Sequence, residues 1–325
     1  MLNGKSILVT GGTGSFGTRF IETALQDYGL EKVIVYSRDE YKHFVLSERI
    51  KDPRIRFFIG DIRDLSRLTL AMREVDIVVH AAALKHVPIA EYNPMECVKT
   101  NVGGADNVVQ AAISCGVSKV IALSTDKASN PINLYGATKL ASDKIFIASN
   151  SLSGSIGTRF SVVRYGNVIG SRGSVIPFFK SMIEAGSSEL PITDERMTRF
   201  WITLDQGVRF VISCLETMRG GELYVPKIPS MRIIDLARAM APDLPHRIVG
   251  IRPGEKLHEV MITEDDARTT VELPDRYVIE PALAWWSWEG YKKTGVPVAE
   301  NFRYSSDTNK MWLTPDELHA MLASL

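Results

Sequence analysis

The sequence predicts an α/β protein: a doubly wound parallel sheet carrying a smaller, discontinuous second lobe. Three observations lead there. Short β-branched runs alternate with amphipathic stretches through the first half of the chain, a glycine-rich turn joins the first run to the first helical pattern, and the texture changes near Gly166, where turns and prolines multiply.

The first run is "SILVT", followed by a helical pattern to Tyr28. Then come "VIVYS", "IRFFIG", "VDIVVHAAA", a helix from Pro94 to Cys115, and "KVIALS". Runs this short and apolar suit strands buried on both faces, with helices as the crossovers. Asn93, Pro94 and Glu96 fit the N-cap, first and third positions of a helix. Residues 1–165 are read as one domain and 166–325 as most of a second. "FWITLDQGVRFVISCLETM", near 200–218, reads as a helix returning to the first layer. "MRIIDLARAMA" and "EKLHEVMI" read as helices of the smaller lobe. "AWWSW" holds three of the five tryptophans and reads as core or subunit contact.

The chain has 325 residues, 45% of them hydrophobic, enough for one large core or two modest ones. Lys and Arg total 38 and Asp and Glu total 38, so no net field favours a polyanion and duplex binding is not expected. The longest apolar runs, such as "VDIVVHAAAL", fall well short of the ~20 residues that span a bilayer. "MLNGKSILVTGG" lacks the pattern of a secretory signal, which makes cytoplasmic residence the expectation. Cys97, Cys115 and Cys214 are far apart and odd in number, so they read as small buried residues. No His-x-x-x-His or Cys-x-x-Cys pair suggests a metal site.

"VTGGTGSFGTRF" sets Gly11, Gly14 and Gly17 between the first strand and the first helix. A turn that tight needs residues without Cβ, and a pyrophosphate must approach backbone N–H groups at the helix N-terminus, so one cause explains both features. The turn predicts a Rossmann-type dinucleotide site involving Thr13, Ser15 and Phe16 as well, with Ile62, Ala81 and Ala82 from the ends of the third and fourth strands. At the end of the second strand, "VIVYSRDE", Ser37 and Arg38 arrive before any carboxylate. A hydroxyl and a guanidinium suit a 2′-phosphate, hence NADP; the alternative is that Asp39 serves the ribose of NAD. Asp61 closes the third strand as an adenine-side contact or a cap.

In "STDKASNPINLYGATK", Tyr135 and Lys139 share one helix face. A tyrosine helped by a nearby ammonium can take a hydroxyl proton while hydride leaves the same carbon. Ser124 and Thr125 are placed either to bond the same substrate oxygen or to satisfy backbone at the strand end. Lys85 and His86, after the fourth strand, are helpers or members of a crevice-edge loop.

The TG-x-x-G-x-x-G turn and the Y-x-x-x-K pair resemble the extended short-chain dehydrogenase/reductase family, which acts largely on nucleotide sugars. Together with "AAALKHVPIAEYNP", "RYGNVIGSRGSVIPFF", "MTRFWIT" and "IRPGEKLHE", they are similar to its inverting 4,6-dehydratases, which act on UDP-GlcNAc at the start of pseudaminic acid formation for surface or flagellin glycosylation. The resemblance implies that Tyr135 and Lys139 serve oxidation at the sugar C4, that Asp126 is the acid toward the C6 hydroxyl, and that Lys127 is the C5 base. Retaining members carry Asp-Glu where this chain has Asp-Lys. A basic lysine needs a depressed pKa, from burial or neighbouring positive charge. The resemblance further implies that Asn167 contacts UDP, that Arg252 holds the diphosphate with Glu255 near the ribose, and that the chain forms a homo-oligomer, a dimer or hexamer. "RPGE" also reads as a Pro-Gly turn into a helix, and Arg199 as either packing or ligand recognition. A UDP-hexose 4-epimerase shares the cofactor site and the Tyr-Lys pair without needing Asp126 and Lys127. A cofactor-sensing scaffold needs none of the four.

Overall fold

Strand β1 (Ser6–Thr10) is buried at every position and pairs in parallel with β2 (Lys32–Ser37) on one side and β4 (Ile77–His80) on the other. The computed structural model describes residues 2–171, 173–283 and 290–323, so the "AWWSW" cluster lies outside the described residues. Between these strands run α1 (Ser15–Asp27), α2 (Glu40–Arg49), β3 (Ile55–Ile59) and α3 (Leu65–Ala71). After β4 come α4 (Val87–Tyr92), α5 (Pro94–Val98), α6 (Gly104–Ser114), β5 (Lys119–Thr125), α7 (Leu134–Ala148) and β6 (Arg159–Tyr165).

The rest of the chain alternates short elements: β7 (Asn167–Val168), α8 (Val175–Glu184), β8 (Leu190–Ile192), β9 (Thr198–Ile202), α9 (Leu204–Thr217), β10 (Leu223–Pro226), β11 (Ser230–Arg232) and α10 (Ile233–Met240). Then follow β12 (His246–Ile248), β13 (Val260–Ile262), α11 (Glu264–Ala267), β14 (Thr270–Glu272), β15 (Arg276–Ile279), β16 (Val296–Pro297), β17 (Tyr304–Ser305) and α12 (Pro315–Ala323).

The main sheet has the order β3-β2-β1-β4-β5-β6-β10, parallel throughout, and β15, β14 and β16 extend it antiparallel. Strand order reverses between β1 and β4, and such a reversal opens a crevice at the carboxyl ends of the strands. Helix α9 is fixed at its start by a reciprocal capping box between Thr203 and Gln206, and it packs on α1, β5 and β6. A second core of Ile176, Phe179, Leu190, Trp201, Leu236 and neighbours lies under α8, α10 and α12.

Two local expectations need correction. The helix expected from Pro94 to Cys115 is interrupted by a π-helical turn at 99–103. That wide turn carries Asn101, whose side chain donates to the carbonyl of Leu84 at 2.9 Å and accepts from the amide of Leu84 at 2.8 Å, tying the loop after β4 to the helix layer. Asn93 is the N-cap of α5, with Pro94 and Glu96 in its first turn as expected, although the Asn93 side chain donates to the carbonyl of Ile89 instead of accepting from the helix. "EKLHEVMI" is not helical. The buried Arg199 guanidinium donates to the carbonyls of Lys256 (2.9 Å) and Leu257 (3.1 Å), and Val260–Ile262 pair with β17, so the groups a helix would use are already taken. Cys97 and Cys214 are buried and Cys115 is half-buried; all three are free thiols.

Candidate active site

The glycine turn folds so tightly that side chains are excluded. Gly11 has φ +68°, and a Cβ there would stand 2.9 Å from the amide nitrogen of Ala82; on Gly17 it would stand 2.5 Å from the carbonyl oxygen of Gly11. Gly14 is the N-cap of α1, with no side chain between the helix N-terminus and the space in front of it. That space is a cavity of about 1150 Å³. The N-terminus of a 13-residue helix, lined by exposed glycine backbone, fits the pyrophosphate of a dinucleotide.

The structure brings the predicted cofactor residues Gly11, Thr13, Gly14, Ser15, Phe16, Gly17, Ser37, Arg38, Ile62, Ala81 and Ala82 to the wall of this one cavity. Asp61 is the exception. Its carboxylate pairs with Arg63 at 2.7 Å and faces Arg38 at 3.6 Å, leaving Gly60 and Ile62 to form the wall. Ser37 is held by Thr13 (2.8 Å) and His43 (2.9 Å). Asp39 accepts from the Lys42 amide at 3.0 Å as the N-cap of α2 and pairs with the Lys42 ammonium at 2.8 Å. Lys42, missed in the sequence, joins Arg38 at the cavity.

Strand β5 ends at Thr125 and turns through a 3₁₀ segment, Asp126–Ala128, before α7 begins. The Asn133 side chain caps α7, accepting from Gly136 N at 2.8 Å, and donates to the carbonyl of Gly254 at 2.8 Å. One residue thereby ties the "RPGE" loop to the start of α7. Gly136 lies so close to the carbonyl of Lys127 that a Cβ would overlap it. This approach packs the turn on α7 and sets Asp126, Lys127 and Tyr135 beside one another.

Asp126 is 1% exposed, while the Lys127 side chain is 26% exposed at the cavity wall. Lys127 Nζ donates to Asp126 Oδ1 at 3.0 Å and lies 3.3 Å from Glu259 Oε1. Asp126 Oδ1 also accepts from Thr125 Oγ1 at 2.9 Å, whereas Asp126 Oδ2 is buried without a hydrogen-bond partner. The expected depression of Lys127 is reversed. Burial pulls its pKa down, but the Asp126 and Glu259 carboxylates outweigh burial and raise it. The depression appears instead at Lys85, through burial and then the Lys127 charge, and at Lys256, through burial.

Tyr135 also departs from expectation: burial pushes its phenol up to about 12, against the lowering influence of Lys127 and of a hydrogen bond with Thr125. Lys139 is 3% exposed, and its pKa is lowered by burial, with Asp143 opposing. Ser124 borders the cavity, and its hydroxyl donates to Asp143 at 2.7 Å, which leaves it only an acceptor role toward a ligand. Asp143 also meets Arg164 at 3.4 Å, and burial raises its pKa despite Arg164 and Lys139.

Among the residues expected to hold substrate, Lys85, His86, Asn167, Arg199, Arg252 and Glu255 all reach the cavity wall. Arg252 and Glu255 pair with each other. Arg199 has three contacts to backbone carbonyls and its Nε 3.7 Å from Glu259, so it holds the 256–259 segment more than it faces a ligand. Glu259, unnoticed in the sequence, is 2% exposed, and its Oε2 has no hydrogen-bond partner. The only trace it leaves in the sequence is its position at the end of "RPGEKLHE".

A dinucleotide cradle, a Tyr-Lys pair and a lysine paired with the carboxylate of Asp126, buried just behind the wall, meet at one cavity of a doubly wound sheet and define an extended short-chain dehydrogenase/reductase. Within it, the chain belongs to the polysaccharide biosynthesis protein family, whose profile matches residues 7–281. It is 57% identical over 324 residues to a Campylobacter jejuni UDP-N-acetylglucosamine 4,6-dehydratase (inverting), covering 98% of this chain and 97% of that one. A Rickettsia canadensis UDP-glucose 4-epimerase is 41% identical over 283 residues, 85% of this chain and 82% of the epimerase. Among solved structures, Pen from Bacillus thuringiensis superposes with a TM-score of 0.91 at 36% identity, over 100% of this chain and 98% of Pen. A dTDP-glucose 4,6-dehydratase from Streptomyces venezuelae with NAD bound gives 0.70 at 28% identity, over 78% of this chain and 86% of that one.

Proposed function

We propose that the chain is an inverting UDP-N-acetylglucosamine 4,6-dehydratase. The observation that carries this reading is Lys127 at the cavity wall, 3.0 Å from the buried Asp126 and in the same space as the dinucleotide cradle. An epimerase has no use for that couple.

A nicotinamide dinucleotide held by Gly11, Gly14 and Gly17 with Ser37 and Arg38 would supply a hydride acceptor for the sugar C4 and a hydride donor for C6. The residues of the chain manage the protons. Tyr135 takes the C4 hydroxyl proton, with the Lys139 ammonium supporting the phenolate. The resulting ketone acidifies C5–H, Lys127 takes that proton, and Asp126 protonates the C6 hydroxyl as it leaves as water. Both partners reach their working forms by one proton moving from Lys127 to Asp126, and the buried Asp126 Oδ2, without a hydrogen-bond partner, is free to carry that proton. Return of a proton to C5 from the opposite face gives inversion. Asn167, Arg252 and Glu255, with Lys85 and His86, are proposed to hold the sugar nucleotide.

NADP is the proposed cofactor. Asp39, the alternative ribose ligand, also borders the cavity but is engaged as a helix cap and by the Lys42 ammonium, while Arg38 and Lys42 bring two cations to the same wall. Arg38→Ala is expected to weaken NADP at least about tenfold more than NAD, the worth of a charge-assisted hydrogen bond; dissociation constants for both cofactors check it. The product is proposed to feed pseudaminic acid formation in the cytoplasm, and no described helix is long and apolar enough to cross a membrane. A dimer or hexamer is the proposed assembly, which light scattering tests.

The deciding experiment is incubation with UDP-GlcNAc in D₂O. A 4-keto product lighter by one water, deuterated at C5 and of inverted configuration, supports the reading. An isomer of unchanged mass makes the chain an epimerase, and unchanged substrate overturns the reading.

A further inference from the structure

We propose that Glu259 is a positioning residue for the acid–base step: it holds the Lys127 ammonium with a second carboxylate and sets both the pH at which Lys127 becomes a base and the strength of that base. The inference rests on the dehydratase reading.

The geometry supports a role beyond packing. Glu259 is 2% exposed and borders the cavity, its Oε1 lies 3.3 Å from Lys127 Nζ and 3.7 Å from Arg199 Nε, and its Oε2 has no partner. Its backbone is fixed independently: its amide donates to Ser306 Oγ at 2.9 Å and its carbonyl accepts from the Ser306 amide at 2.8 Å. The carboxylate is therefore carried to Lys127 by the β13–β17 pairing, whatever Lys127 itself does.

The groups facing Lys127 are Asp126 on its own turn, Glu259 beside β13, Arg199 on β9, Lys85 after β4, Lys256 and Tyr135. Two anions against three other cations leave the balance at Lys127 sensitive to losing either anion. Without Glu259 the neutral amine is populated at lower pH, and the amine is also a weaker base. A proton acceptor raised by a neighbouring anion is scarcer but stronger, so Brønsted behaviour predicts opposite effects on onset and ceiling. The pH at which C5 exchange begins falls, and the rate at high pH falls with it.

Glu259→Gln keeps the shape and removes the charge. An opposite charge at this distance shifts a pKa by about 1–3 units, so the rising limb of C5 deuterium exchange is expected to move at least about one unit toward lower pH, with a lower plateau. Glu259→Asp, which retains the charge, is expected to restore the wild-type limb in part. A second readout needs no turnover. In the holoprotein, amine acetylation followed by peptide mass spectrometry measures neutral Lys127 against exposed Lys51; the Lys127 profile is expected to shift by the same amount in Glu259→Gln while the Lys51 profile stays put.

A plateau lowered with both limbs unmoved makes Glu259 merely structural and overturns the proposal. Wild-type protein that yields no 4-keto product refutes the dehydratase reading instead, and the acetylation profiles then still decide whether Glu259 governs Lys127.

Discussion

Lys127→Ala is expected to oxidise UDP-GlcNAc at C4 and go no further, with formation of the dehydrated product slowed about 10²–10⁴-fold, the usual worth of a general base. Reduced nicotinamide, read by its near-ultraviolet absorbance, should then accumulate, because the ketone forms without losing water and hydride has no C6 acceptor. Deuterium should no longer enter C5 from D₂O. The substitution also removes the shared partner of Asp126 and Glu259, leaving two buried carboxylates, of which Glu259 keeps Arg199 at 3.7 Å. Breaking such a cluster costs about 3–5 kcal/mol, so thermal unfolding must be followed alongside activity. If exchange at C5 persists, Lys127 is not the base, and Lys85 is the next group to replace. It borders the same cavity and carries the depressed pKa that a lysine base ordinarily needs.

That alternative shows where the sequence stops being legible. Tyr135 and Lys139 were visible because helical spacing puts them on one face, and Gly11, Gly14 and Gly17 because a crowded turn restricts residue type. Such constraints act between near neighbours and therefore leave local patterns. The protonation balance is different, because Glu259 meets Lys127 only after β13 has paired with β17 far along the chain. The Tyr135 phenol likewise rises to about 12 through burial that no local spacing encodes. Ser124, at the end of its strand, gives its proton to Asp143 on α7, a partner that local spacing does not reveal.

The "EKLHEVMI" segment departs from the helix its spacing suggests for a reason that involves Arg199. The apolar spacing of that segment fits a helix, but a buried arginine needs carbonyl acceptors, and those of Lys256 and Leu257 supply them. The same interaction extends the backbone toward Val260 and delivers Glu259 to the site. A residue that seemed a weak ligand candidate thus shapes the loop bearing Glu259, Arg252 and Glu255.

Gly136→Ala should disable the enzyme although it removes no functional group. Gly136 is in the first turn of α7, directly after Tyr135, and a single added carbon would overlap the carbonyl oxygen of Lys127 and stand 3.1 Å from the Pro131 side chain. Backbone cannot rotate away as a flexible side chain can, so the 3₁₀ turn must shift relative to α7. Overpacking of this kind costs about 1–3 kcal/mol in stability. The larger effect is on chemistry, because Asp126 and Lys127 sit on the displaced turn and Tyr135 on the helix; misplacement by an ångström costs about 10² in rate. Gly103→Ala is the control. A Cβ there meets nothing within 4 Å, and the residue has ordinary helical dihedrals, so alanine should be neutral or stabilising by about 0.5–1 kcal/mol. Dehydration rate and thermal midpoint measured on both variants test the argument. Full activity in Gly136→Ala would mean that the turn and the helix are not held in the close contact on which the proposed site depends.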